Sequence, residues 1–132
     1  MPFDAEAILA NLVEQERTRG HHSPEGRAIR TLARALSGWS TGALSAADVI
    51  ILCGQSVEEW LKARLKRSPW SVEPLPALLG AALAENLITP AEAIPLQKIH
   101  QQRKFGLRAG TNSSEAAQAA LEFCIQLIEK HW

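Results

Sequence analysis

The chain reads as an all-α protein, a compact helical bundle of about five to six helices. Three observations predict this. Apolar residues recur at helical spacing over most of the length, capping signals open one segment after another, and no stretch alternates apolar with polar residues as a half-buried strand does. Val, Ile and Thr never fall into that alternation, and Tyr is absent.

The elements follow in order. The first helix spans about Ala5 to Arg19, with Ile8, Leu9, Leu12 and Val13 on one stripe and Asp4 as its cap. Gly20-His21-His22 interrupts it, and Ser23-Pro24-Glu25 restarts it, since Ser caps and Pro suits the first helical position. The second helix turns Ile29, Leu32 and Leu36 inward and is expected to end before Gly38, leaving Trp39-Ser40-Thr41-Gly42 as a loop. Ser45 with Asp48 three residues on opens the third helix, which carries Val49, Ile50, Cys53, Val57, Trp60, Leu61 and Leu65. It finishes in Lys62, Arg64, Lys66 and Arg67, cations that suit the negative end of a helix dipole, and Ser68-Pro69 stops it.

A fourth helix is read from about Pro76 to Asn86, burying Leu75, Leu78, Leu79, Ala82 and Leu83. Thr89-Pro90-Ala91-Glu92 is a capping box with Pro at the first position. Pro95 then removes an interior hydrogen bond, so a kink is expected, or a short turn before a main helix from Pro95 to about Lys104. Gly106 and Gly110 bracket a loop, and Asn112-Ser113-Ser114-Glu115 starts a last helix that buries Ala117, Leu121, Cys124, Ile125 and Ile128. The reading is one domain over residues 1–132, with core helices at about 45–132 preceded by two helices at about 4–37.

Composition bounds the function. The 132 residues are 46% hydrophobic, enough to bury a core, and 21% charged. Both signs number 14, so a general polyanion binder is excluded and any nucleic-acid site must be a local patch. Cys53 and Cys124 lie inside apolar helical patterns, as buried small hydrophobes in a reducing compartment do. Without an apolar leader run or a long apolar span, a soluble, cytoplasmic protein without membrane contact is expected.

Chemistry concentrates between Leu96 and Arg108. At about 100° per residue, Leu96, Ile99, His100 and Arg103 share one helix face. An Arg on an apolar stripe must reach a carboxylate or carbonyls, line a cleft, or face a second subunit, because an unpaired buried charge is costly. Lys98, Arg103, Lys104 and Arg108 are four cations with no acid among them, and His100 adds a group that changes charge near neutral pH.

The pattern Leu96-x-x-Ile99-x-x-x-Arg103-Lys104-x-x-x-Arg108, followed by a turn and a long amphipathic helix, resembles the signature of HEPN domains. Gln55-Ser56-Val57-Glu58-Glu59-Trp60-Leu61-Lys62 is similar to that family's long helix, which carries an acid and then a Lys. The resemblance covers about Ala46 to Trp132 in helix order and implies an up-down four-helix core. In active members an Arg and a His face each other across a dimer interface and cleave RNA without a metal. Only Arg103 carries over: Lys104 stands where Asn is usual, and Arg108 stands at the His position. Arginine stays protonated and cannot serve as an acid–base group. The resemblance therefore implies a non-catalytic binding module, a homodimer, with Arg103, Lys104, Arg108 and Lys98 toward RNA, a nucleotide or a protein partner.

Two alternatives stand beside it. One is a metal-independent endoribonuclease using Arg103 with His100, one helical turn apart, as its catalytic pair. The other is a structural interaction domain in which Arg103 pairs with Glu58 or Glu59 and His100 is a half-buried, hydrogen-bonded helix residue. Elsewhere His21-His22 reads as a solvated loop pair lacking further metal ligands. Lys62, Arg64, Lys66 and Arg67 complement the helix dipole, and Trp60 reads as packing. Trp39 and Trp70 are expected to plug the core edge. No phosphate loop, Ser-His-Asp set, Cys pair with metal spacing or carboxylate cluster occurs, so neither a metal nor a cofactor is expected.

Overall fold

The computed structural model describes residues 4–68, 70–109 and 114–131, and side chains throughout these apart from 105–109. Six helices make up the described chain: α1 (Ala5–Arg19), α2 (Pro24–Thr41), α3 (Ala46–Arg64), α4 (Leu75–Ala84), α5 (Pro90–Ala109) and α6 (Ser114–Lys130). Among the described residues there is no strand.

Capping chemistry sets most boundaries. The Asp4 side chain accepts from Ala7 N–H at 3.1 Å, Ser23 from Gly26 N–H at 2.9 Å, and Ser45 from Asp48 N–H at 3.2 Å. At α5 the capping box is complete: Thr89 N–H donates to the Glu92 carboxylate at 2.8 Å, and Glu92 N–H donates to Thr89 Oγ1 at 3.1 Å.

Three boundaries differ from the sequence expectation. The helix expected to end before Gly38 continues to Thr41, and Gly42, in the left-handed region, caps it. Gly38 is a packing glycine: a Cβ there would lie 2.3 Å from Leu44 Cδ1, so the following chain folds back against it. The third helix stops at Arg64, where Lys66 adopts φ 58° and Arg67 N–H reaches back to the Lys62 carbonyl at 2.8 Å. The fifth helix runs unbroken through Pro95 and Gly106, with no separate turn. Pro95 lies in its second turn, where the ring forfeits one hydrogen bond while Ala93, Leu96 and Ile99 hold the helix onto the core. Gly110 and the expected cap Asn112 lie outside the described residues.

One continuous cluster of buried apolar side chains draws on all six helices, from Leu12 through Ile29, Ile50, Leu78 and Leu96 to Leu121. Helix α3 is the centre, packing against α2, α4, α5 and α6. Its stripe of Val49, Ile50, Cys53, Val57, Trp60 and Leu61 is buried throughout. Between α2 and α3, buried Ser56 donates to the Ala28 carbonyl at 2.7 Å. On α1 only Leu12 of the expected stripe is fully inside; Val13 stays about half exposed. Both cysteines are free and buried. No described helix is long and apolar enough to cross a membrane.

Trp60 is buried and Trp39 packs against the core. Trp70 does not plug the core edge: it is 86% exposed, with Val72 at 96%, in the α3–α4 connection.

Candidate functional site

Helix α5 lays Leu96 and Ile99 into the core, and the same face brings His100 and Arg103 to the edge where α5 meets α3. Arg103 Nη2 reaches Glu58 Oε1 at 2.5 Å and His100 Nδ1 at 3.2 Å. The two charged side chains are 19% and 24% exposed. Gly54 lies one turn before Glu58 on α3, and a Cβ there would lie 2.9 Å from Arg103 Nη1 and 3.1 Å from its Cδ and Cζ. The guanidinium thus rests on a bare patch of α3 backbone, which the missing side chain opens.

The electrostatics follow. A guanidinium has only donors, so when Nη2 points at His100 Nδ1 that nitrogen accepts and the ring proton sits on Nε2. Burial, and then the neighbouring charge of Arg103, push the His100 pKa below the ordinary histidine value; Lys104 works in the same direction and Glu58 against it. His100 is therefore a neutral imidazole at neutral pH. Chemically the group is a bonded Glu–Arg–His row, with an ion pair at its centre.

Of the residues picked out by sequence, Arg103 and His100 come together, and Glu58 joins them. Lys98 points elsewhere, into a groove between α5 and α6 with Ile94, Pro95 and Phe123. Lys104 is on the exposed side of α5. The Arg108 side chain lies outside the described residues. Glu59, the other carboxylate considered for Arg103, instead accepts from Thr31 Oγ1 at 2.7 Å. Gly54 was not anticipated; the signal for it is an isolated glycine in the middle of a long helix, which calls for a packing reason.

The polar turn after α1 is also more ordered than expected. Nearly buried Glu16 bonds His21 Nδ1 at 2.7 Å and Arg30 Nε at 3.1 Å. Burial pushes the Glu16 carboxyl up, but the bonds to His21 and Arg30 outweigh it and hold the pKa below the ordinary range. Among the described residues no group of three or more His, Cys, Asp or Glu is placed to hold a metal ion. No protein-family model, curated protein or solved structure matches the chain.

Proposed function

We propose that this chain is a HEPN-like helical binding module, a homodimer that engages RNA or a nucleotide through the basic face of α5 without cleaving it. The observation that supports this reading is the state of Arg103. Its guanidinium is already bonded to Glu58 at 2.5 Å, beside a neutral His100 whose Nδ1 it occupies. A catalytic arginine must meet charge building on phosphate, and an acid–base histidine needs a nitrogen free to take a proton. Here Glu58 already holds Arg103, so a phosphate can share the guanidinium only in part, and Arg108 occupies the position where the motif has its acid–base residue. What remains is positive charge on α5, which suits phosphate contact.

The adjacency of His100 and Arg103 favours a second reading, a metal-independent endoribonuclease in which His100 Nε2 acts. Both are tested by one experiment: binding and cleavage of single-stranded RNA in EDTA by the parent protein, Arg103→Ala and His100→Ala. Salt-dependent binding without cleavage, weakened by Arg103→Ala, is the expected result. Cleavage abolished by either substitution would establish the ribonuclease. Neither binding nor cleavage would refute both and leave protein partners.

A further inference from the structure

A second charged cleft lies away from Arg103, between the start of α2 and the end of α3. Pro24, Arg27, Glu59, Lys62, Ala63 and Arg67 line a cavity of about 80 Å³. That is a few water volumes, room for a tetrahedral oxyanion and little more. Arg27 makes no side-chain hydrogen bond to any described residue. Lys62 donates to a neutral acceptor, the Ser71 carbonyl, at 2.7 Å, and only Arg67 is matched, by Glu73 at 2.9 Å. Glu59 has no cation within ion-pairing distance; its charge is answered only from farther off by Arg27, Arg30 and Lys62. Arg30 in turn is committed to Glu16. The cleft therefore is lined by two cations that have no carboxylate within ion-pairing distance among the described residues.

We infer that this cleft is a binding site for a phosphoryl group, held by Arg27 and Lys62. Arg27 supplies a planar fork that suits two oxygens, and Lys62 supplies a point charge. Burial pushes the Glu59 carboxyl up in spite of the Thr31 bond and the surrounding cations, so the negative charge on this wall is easier to discharge than that of a solvated carboxylate. The site is independent of the α5 reading, because it shares no residue with it.

The group has two sources, free phosphate or a nucleotide. Trp70 sits beside Ser71, the residue that Lys62 ties to the rim, and its ring is exposed. An exposed indole next to a phosphoryl site is a stacking surface for a base.

The test is titration of the ¹⁵N-labelled protein with inorganic phosphate, then with adenosine monophosphate, against sodium chloride at matched ionic strength. The expected result is saturation with a Kd on the order of 1 mM, shifts centred on residues 24–27 and 59–67, and at least about fivefold weakening by Arg27→Gln and by Lys62→Gln. Glu59→Gln, which removes the one acidic side chain lining the cleft, retains or tightens binding. Tighter binding of the nucleotide, lost in Trp70→Ala, identifies a nucleotide site; equal binding of both ligands identifies a free oxyanion site. Shifts that do not saturate, that chloride reproduces, or that survive both cation substitutions would overturn the proposal. Because Arg27 is exposed, its substitution leaves the fold intact and the result interpretable.

Discussion

Arg103→Ala tests whether the Glu–Arg contact holds α5 to α3. A fully buried ion pair broken on one side costs about 3–5 kcal/mol, and an exposed pair contributes about 0.2–1 kcal/mol. With 19% and 24% of the two side chains exposed, this pair sits between those limits. After discounting for solvent screening, the loss is about 2 kcal/mol, part of it from alkyl packing over Gly54. The clean measurement is a double-mutant cycle by urea unfolding with Arg103→Ala, Glu58→Ala and the pair, which should return a coupling of about 1–1.5 kcal/mol. Gly54→Ala supplies the control. In the parent its Cβ would crowd Nη1 at 2.9 Å, so the substitution destabilises. In the Arg103→Ala background those nearest contacts are gone, and the gain in helix propensity should turn the same change into a stabilisation of about 0.5–1 kcal/mol. A coupling under about 0.3 kcal/mol, or a Gly54→Ala effect of the same sign in both backgrounds, would refute this account of the contact.

Two further outcomes follow from the same geometry. Lys66, at φ 58°, carries the cost of a left-handed residue, so Lys66→Gly should stabilise by about 1 kcal/mol and raise the Tm by a few degrees; no gain would mean the turn is not strained. The pKa of His100 is lowered by burial and the charge of Arg103, and that of His131 by burial and the charge of Arg64. For both, the unfolded chain takes up its proton first as pH falls below about 6.5, so each contributes stability present above that pH and lost as it drops toward the folded value. Glu59, raised by burial, acts in the opposite sense. Urea midpoints at about pH 7.5 and 5.5 should therefore show the His100→Gln, His131→Gln double variant keeping more of its stability on acidification than the parent.

The helical class and the core were legible because periodicity and caps are local signals. Ser23, Ser45 and the Thr89–Glu92 box mark helix starts that depend on a few neighbouring residues, and the apolar stripe of α3 is buried residue for residue. What sequence could not supply was the reason behind three punctuators. Gly38 reads as a stop, yet it serves packing against Leu44, a contact set by the turn that follows. Pro95 reads as a kink or a short turn before the main helix, yet α5 runs through it with no separate turn. Trp70 reads as a core plug because it is an amphipathic ring beside a helix end, yet it lies exposed in the α3–α4 connection. At the candidate site the Arg103 face was legible, and Glu58 was one of two carboxylates in view. The choice between Glu58 and Glu59 depended on the crossing of α3 and α5, which no spacing rule encodes. The Arg27–Lys62 cleft was invisible for the same reason: its residues are 35 positions apart and meet only after packing.

A single substitution separates a structural Arg103 from a ligand-binding one, because the two roles compete for the same guanidinium. In the free protein Nη2 belongs to Glu58. A phosphate that needs Arg103 must share or displace that carboxylate, so its affinity is reduced by roughly the coupling of the pair. At about 1.4 kcal/mol per factor of ten, a coupling of 1–1.5 kcal/mol corresponds to about tenfold. Glu58→Gln removes the competing charge while preserving size and a hydrogen-bonding group. If Arg103 contacts phosphate, RNA affinity rises by about tenfold and the salt dependence of binding steepens, although the protein becomes less stable. If Arg103 is purely a tie between α3 and α5, stability falls by the same amount and affinity does not move. Filter binding at two salt concentrations, beside urea unfolding of the same preparation, distinguishes the two cases. An affinity that falls in step with stability would count against both, since it would mean that Glu58 itself meets the ligand.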